Sequence, residues 1–177
     1  HPYDPATQRG GYPYEIPYLV VPGTFEQMAA EVFQQQLARI GIRIRLELLN
    51  WAAMLERVGT RGAAVMGWRG WAADYPDPSA FFEPTLSSAA IADHGGQNVS
   101  FFSDPRLDAL LARADRETRH LERLRLFEQA EDLVREEAPW IPVYAPRMLH
   151  VWHKHVRQYD PSSPYALEQL RIVRGAR

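Results

Sequence analysis

The sequence predicts an α/β domain built on a βαβαβ unit, its sheet mixed but largely parallel and flanked by helices. Three observations predict it. Two apolar runs of β-type composition, 15–21 and 42–49, and a third short one, 63–67, alternate with two stretches of helical periodicity. The hydrophobic period switches between two residues and about 3.6 at each boundary. The whole alternation fits within about fifty residues, the scale of right-handed crossover units.

The elements follow in order. Residues 1–13 are rich in Pro, Gly and Tyr and read as an extended entry segment. The run EIPYLVV at 15–21 is a strand, and Pro17 argues for an edge position or for the strand's first residues. Thr24 and Gln27 form a capping-box pattern. Beyond them Phe25, Met28, Ala29, Val32, Phe33, Leu37 and Ile40 mark the apolar face of a helix, which Gly41 ends. In IRIRLELL, Ile42, Ile44, Leu46 and Leu48 share one face, while Arg43, Arg45 and Glu47 share the other. Residues 51–57 form a short helix with Trp51, Leu55 and Val58 inward. Residues 63–67 form a buried third strand.

From 68 to about 102 the chain is loop-like, broken by a helical turn at 79–86. Its aromatic content (Trp68, Trp71, Tyr75, Phe81, Phe82) argues against disorder. Ser103 caps a helix whose buried face is Leu107, Leu110, Leu111 and Ala114. A second helix over 119–137 carries Leu121, Leu124, Phe127, Ala130, Leu133 and Val134 inward and stops before Pro139. Residues 140–144 and 148–153 are short strand candidates, and 169–173 is a weaker one.

The chain has 177 residues, which fits a single domain over 1–177. A net charge of −2 gives no general pull toward nucleic acid, so no nucleic-acid partner is expected. With no cysteine, disulfides, thiolate catalysis and cysteine metal sites are excluded together. No apolar run approaches the ~20 residues that span a bilayer, and the first residues have no signal-peptide pattern.

Four constellations can carry chemistry. The segment GWRGWAADYPDP at 67–78 places two tryptophans, a tyrosine and two carboxylates just past the end of a parallel strand, where open α/β sheets bind ligands. Asp74 can pair with a cation there. The alternative is a packed loop in which Trp68 and Trp71 fill core and Asp74 caps a turn. His150, His153 and His155 have a spacing a metal can use, but Lys154 and Arg157 disfavour a divalent cation, and no metal or other cofactor is expected. Asp74 with Asp77, or Asp77 with Glu83, can be drawn as acid and base, but Asp before Pro more commonly makes a turn, and no catalytic site is assigned. The charged face of 119–137 balances acids and arginines, as a solvated helix does.

The order of these features resembles the family 5 bacterial extracellular solute-binding proteins. The matching phrases are QLARIGI at 36–42, Trp51 opening the next helix, GWAADYPDP at 70–78 with Phe81 and Phe82, Asn98 before SDPRLDALL at 103–111, and Ala130-Glu131 leading to Pro139, Ile141, Pro142 and Tyr144. The resemblance covers roughly 14–160. It implies a periplasmic-binding-protein-like lobe of the type II, peptide-binding cluster. It also implies a non-enzymatic receptor that delivers di- or oligopeptides to a membrane ABC permease, in the periplasm or otherwise extracytoplasmic and membrane-associated. By the same resemblance Asp74 pairs with a peptide α-amino group, Trp71 and Trp51 line the pocket, and Gly70, Ala72 and Tyr75 belong to the site. Arg57 or Arg61 holds the peptide carboxylate.

Family members are much longer. The chain is therefore expected to be a C-terminal lobe whose cleft is completed by an N-terminal lobe, with 156–177 loosely anchored. A fragment, a natural truncation and an engineered junction remain open as origins. The alternatives are a nickel chelate, haem, sugar or opine ligand, or a truncated lobe acting as a protein-interaction domain.

Overall fold

The computed structural model describes residues 2–7, 9–145, 147, 149–153, 156–157 and 171–172. Strand β1 (Glu15–Val20) is central in a three-stranded parallel sheet, with β2 (Arg43–Leu48) on one side and β3 (Met66–Gly67) on the other. Helix α1 (Phe25–Ala38) connects β1 to β2, and α2 (Trp51–Val58) connects β2 to β3. The βαβαβ unit is as expected. Among the described residues, antiparallel pairing occurs in a separate pair, β4 (Val156–Arg157) with β5 (Arg171–Ile172), and in an isolated bridge between Asp4 and Arg9. These two strands fall within the segment expected to be loosely anchored, and β5 lies inside the weak strand candidate at 169–173.

Pro17 is in the central strand, not at an edge. Val20 O accepts from Leu49 N on the β2 side, whereas Leu19 O accepts from Trp68 N on the β3 side. Alternation therefore turns the Pro17 nitrogen toward β3, whose pairing begins only at Tyr18 with Met66. No ladder bond is lost. The third strand is shorter than expected and is an edge, with Val65 73% exposed.

The sheet separates two small cores. Tyr18, Val20, Ala30 and Ile44 pack on the α1 side, with Phe33 and Leu37 against them. Leu19, Met54 and Val58 pack on the α2 side. Helix α1 is bound to the sheet by only part of its predicted apolar face: Phe25, Met28, Val32 and Ile40 are exposed. The capping box is displaced by one residue. Thr24 Oγ accepts from Gln27 N at 3.3 Å, but Gln27 Oε1 reaches back to Gly23 N at 2.8 Å. In α2 the inward residue of the first turn is Met54, and Trp51 faces solvent at 55% exposure. Asn50 caps this helix through Ala53 N, which sets the phase.

The entry segment, expected to be extended, contains a turn at 5–7, with Asp4 N donating to Arg9 O. Tyr12 N then donates to Gly41 O. Gly11 and Gly41 both have positive φ, and a Cβ on Gly11 would come within 2.5 Å of Gly41 O. The close approach of two backbones requires glycine there.

The helical half comprises α3 (Ser79–Leu86), a 3₁₀ turn at Ser88–Ala90, α4 (Pro105–Arg116) and α5 (His120–Glu137). Its core is Leu86, Leu107, Leu111, Ala114, Leu126, Phe127, Ala130 and Leu133. The cap of α4 is Asp104, which accepts from Arg106 N, with Pro105 at the first helical position. Ser103, expected to be the cap, pairs with the Ser88 hydroxyl instead. Leu121, predicted inward, is 70% exposed, and Leu126 takes the core position. Helix α5 ends at Ala138 in the left-handed region, just before Pro139. No strand forms at 140–145, 147 or 149–153. Met148 of that expectation lies outside the described residues.

Candidate functional site

Three strand ends and two helix starts converge at the carboxyl edge of the sheet. Between them is a cavity of about 150 Å³ lined by Val21, Thr24, Glu26, Trp51, Met54 and Trp68, with Gly70 at one edge. The parallel topology produces it. β1 and β2 each hand the chain to a helix at that edge and β3 hands it to the loop at 68–78, so the connections open a crevice there. Trp68 follows β3 directly and Trp51 opens α2, so both indoles are delivered to that crevice by the register. Trp68 also contacts Tyr144 at 5.9 Å between ring centroids, and Tyr144 meets the Phe25 ring at 5.4 Å.

Trp71 is one anchor of the loop beyond Gly70. Trp71 is half-buried and its Nε1 donates to Ala80 O at 2.7 Å. Pro84 has no N–H for that carbonyl, which lies four residues earlier in α3, so the indole satisfies an acceptor the helix leaves open. Arg69 lies 5.7 Å from the Trp71 ring centroid, and its Nη2 donates to Gln97 Oε1 at 2.6 Å. Burial pulls the Arg69 guanidinium below its ordinary pKa. Its Nε is buried with no hydrogen-bond partner among the described residues.

Asp74 is exposed, and among the described residues its carboxylate has no hydrogen-bond or ion-pair partner. Ala72 and Tyr75 are exposed beside it, with the Tyr75 hydroxyl 3.0 Å from Ser79 Oγ. Asp77 is engaged. It accepts from Ser79 N at 2.9 Å at the start of α3 and pairs with Arg123 at 2.9 Å. Burial pushes the Asp77 carboxyl up, but the Ser79 hydrogen bonds and the Arg123 and His120 charges outweigh that and hold it below its usual range. A carboxylate committed to a helix start and an arginine is poorly placed for acid–base work with Asp74 or Glu83.

Both arginines expected to hold a carboxylate already have acidic partners. Arg57 donates to Glu47 at 2.8 Å and to Ala63 O, and Arg61 pairs with Asp93 at 2.9 Å beneath the Phe101 ring. Neither lines the cavity. Of the predicted site residues, the fold gathers Trp51 and Gly70 at the cavity and Trp71, Ala72, Asp74 and Tyr75 along the adjoining loop. Sequence reasoning missed Glu26 and Met54 as cavity walls, whereas Trp68 was one of the two tryptophans of the 67–78 segment read as possible walls. The signal for Trp68 was present, because the residue after a parallel strand faces the crevice. Among the described residues no group of His, Asp and Glu could hold a metal ion. His155 lies outside them.

Comparison with known proteins agrees with this architecture. Residues 9–93 match the model for bacterial extracellular solute-binding proteins, family 5 Middle. Di/tripeptide-binding protein 4 of Pseudomonas aeruginosa is 35% identical over 132 residues, 75% of this chain and 24% of that protein. Heme-binding protein A of Haemophilus influenzae is 32% identical over 155 residues, 81% of this chain and 28% of that protein. Among solved structures, the periplasmic binding protein DppA of Helicobacter pylori in complex with the peptide STSA superposes with a TM-score of 0.77 at 27% identity, covering 90% of this chain and 31% of that one.

The fold is thus that of periplasmic peptide-binding proteins, a parallel sheet flanked by helices with its crevice at the carboxyl edge. The chain belongs to family 5 of the bacterial extracellular solute-binding proteins. It spans about a quarter of the length of the first relatives it matches.

Proposed function

We propose that this chain is a ligand-binding lobe of a solute receptor for short peptides, serving an ABC importer outside the cytoplasmic membrane and catalysing no reaction. Asp74 carries the proposal. It is an unpartnered carboxylate on a loop whose base is pinned by Trp71 to α3, next to an aromatic-walled crevice. An exposed anion with no internal counter-ion suits the α-amino group of a peptide. The relatives' printed descriptions support peptides as the ligand class. The crevice is open on one side, and a second lobe closing over it completes the site by hinge motion. Membrane delivery then requires a permease partner.

Titration calorimetry on the protein as encoded, with Ala-Ala-Ala and its N-acetylated form, tests this. The free peptide binds, acetylation weakens binding at least about tenfold, and Asp74→Asn removes that difference. Equal affinity for the two peptides in the unaltered protein would falsify the role of Asp74.

A further inference from the structure

The cavity at the carboxyl edge contains one carboxylate that the Asp74 role does not use. Glu26 is half-buried in the first turn of α1, and among the described residues it has neither a hydrogen-bond nor an ion-pair partner. Its neighbour Gln27 bonds Glu31 and Gly23, so the helix start is satisfied without it. The other walls are apolar or aromatic: Val21, Met54, Trp51 and Trp68. Thr24 spends its hydroxyl proton on Val21 O.

A half-buried anion in an apolar wall is costly unless a cation reaches it. Indole rings are the aromatic surfaces that attract cations most strongly. A cavity of about 150 Å³ accepts a group of roughly benzene's size, the size class of a lysine side chain's four-carbon stem. A first-turn carboxylate complements the dipole of α1, but that does not explain why it shares a cavity with two tryptophans and a methionine.

We infer that this cavity is a side-chain subsite for a cationic group on an apolar stem, of the lysine type. Trp51 and Trp68 hold the stem and the charge, and Glu26 is the counter-ion. The inference rests on the peptide-receptor reading for its biological ligand, and it makes the receptor selective for basic peptides. Asp74 and Glu26 then read two different cations of one ligand, its amino terminus and a side chain.

Two titrations test it. In the first, n-butylammonium and n-butanol are titrated separately while the indole N–H signals of Trp51 and Trp68 are followed by NMR. Saturable shifts are expected with the ammonium only, and loss of them in Glu26→Gln. Equal shifts with n-butanol, or shifts that persist in Glu26→Gln, overturn the inference whatever happens with peptides. In the second, Ala-Lys-Ala is compared with Ala-norleucine-Ala by calorimetry. A preference of about tenfold for lysine is expected, collapsing in Glu26→Gln while the requirement for a free amino terminus persists. Absence of binding by either peptide removes the peptide reading but leaves the n-butylammonium result to decide the subsite. Equal binding of the two overturns the subsite and leaves the peptide reading standing.

Discussion

Asp74 and Asp77 stand three residues apart in one loop and do opposite work. Asp77 has a hydrogen-bond donor at the start of α3 and an arginine from α5, so it belongs to the scaffold. Asp74 has neither. Their difference sets a pH expectation. The Asp77 carboxyl is held below its unfolded value, so its stabilisation is fully present above the ordinary carboxylate range near pH 4. It is lost as pH falls through the lower folded value. Melting temperatures of the unaltered chain and of Asp77→Asn should therefore differ at pH 7 and converge toward pH 3. A gap that widens on acidification would mean the carboxyl is not depressed in the folded state. The motif around both aspartates was legible in the sequence as a family phrase. Their division of labour was not, because the partner that claims Asp77 is Arg123, 46 residues further on.

At the scale of elements, helix existence was legible and helix phase only partly so. The 3.6-residue pattern located α1, α2, α4 and α5 to within a residue or two, but α5 carries leucine at 121, 124, 126 and 133, more than one stripe can use. Packing against α4 selects Leu126, Phe127, Ala130 and Leu133, and leaves Leu121 outside at the first turn. Leu126→Ala should cost about 2–4 kcal/mol by denaturant unfolding, the range for a buried leucine leaving a cavity. Leu121→Ala should stay within about 0.5 kcal/mol. The reverse ranking would restore the phase read from sequence. Pro84 is a similar case. A proline inside a helix leaves the carbonyl four residues earlier unbonded, so Pro84 in α3 frees the Ala80 carbonyl, which Trp71 takes. The third strand fell short of 63–67 because pairing with β1 requires only Tyr18 and Leu19.

At the scale of the molecule, the buried apolar residues fall into a βαβαβ half and a helical half. The two sheet cores contain Leu19, Val20, Ile44, Met54 and Val58. The helical core contains Leu107, Leu126, Phe127 and Ala130, and no residue of it packs in either sheet core. Trp71 Nε1 to Ala80 O ties the halves directly, and Arg69 to Gln97 and Arg61 to Asp93 fasten the intervening loop, whose Val99 packs on the α2-side core and whose Phe102 packs on the helical core. Exposed polar ties of this kind are worth about 1 kcal/mol each, so the coupling of the two packed units rests largely on the loop at 91–102. Native-state amide exchange at rising guanidinium should resolve two opening units. One comprises the amides of β1 and β2, and the other those of α4 and α5, each with its own denaturant slope. Trp71→Phe should lower the protection of α3 while leaving the slopes of β1 and α5 unchanged. A single isotherm shared by Val20 and Ala130 would show that the halves open together. The crevice loop would then be a rigid part of one unit. With two units, the loop at 68–78 is a joint between them, and under the proposed role of Asp74 a ligand that also reaches Trp51 would fasten that loop to the sheet half.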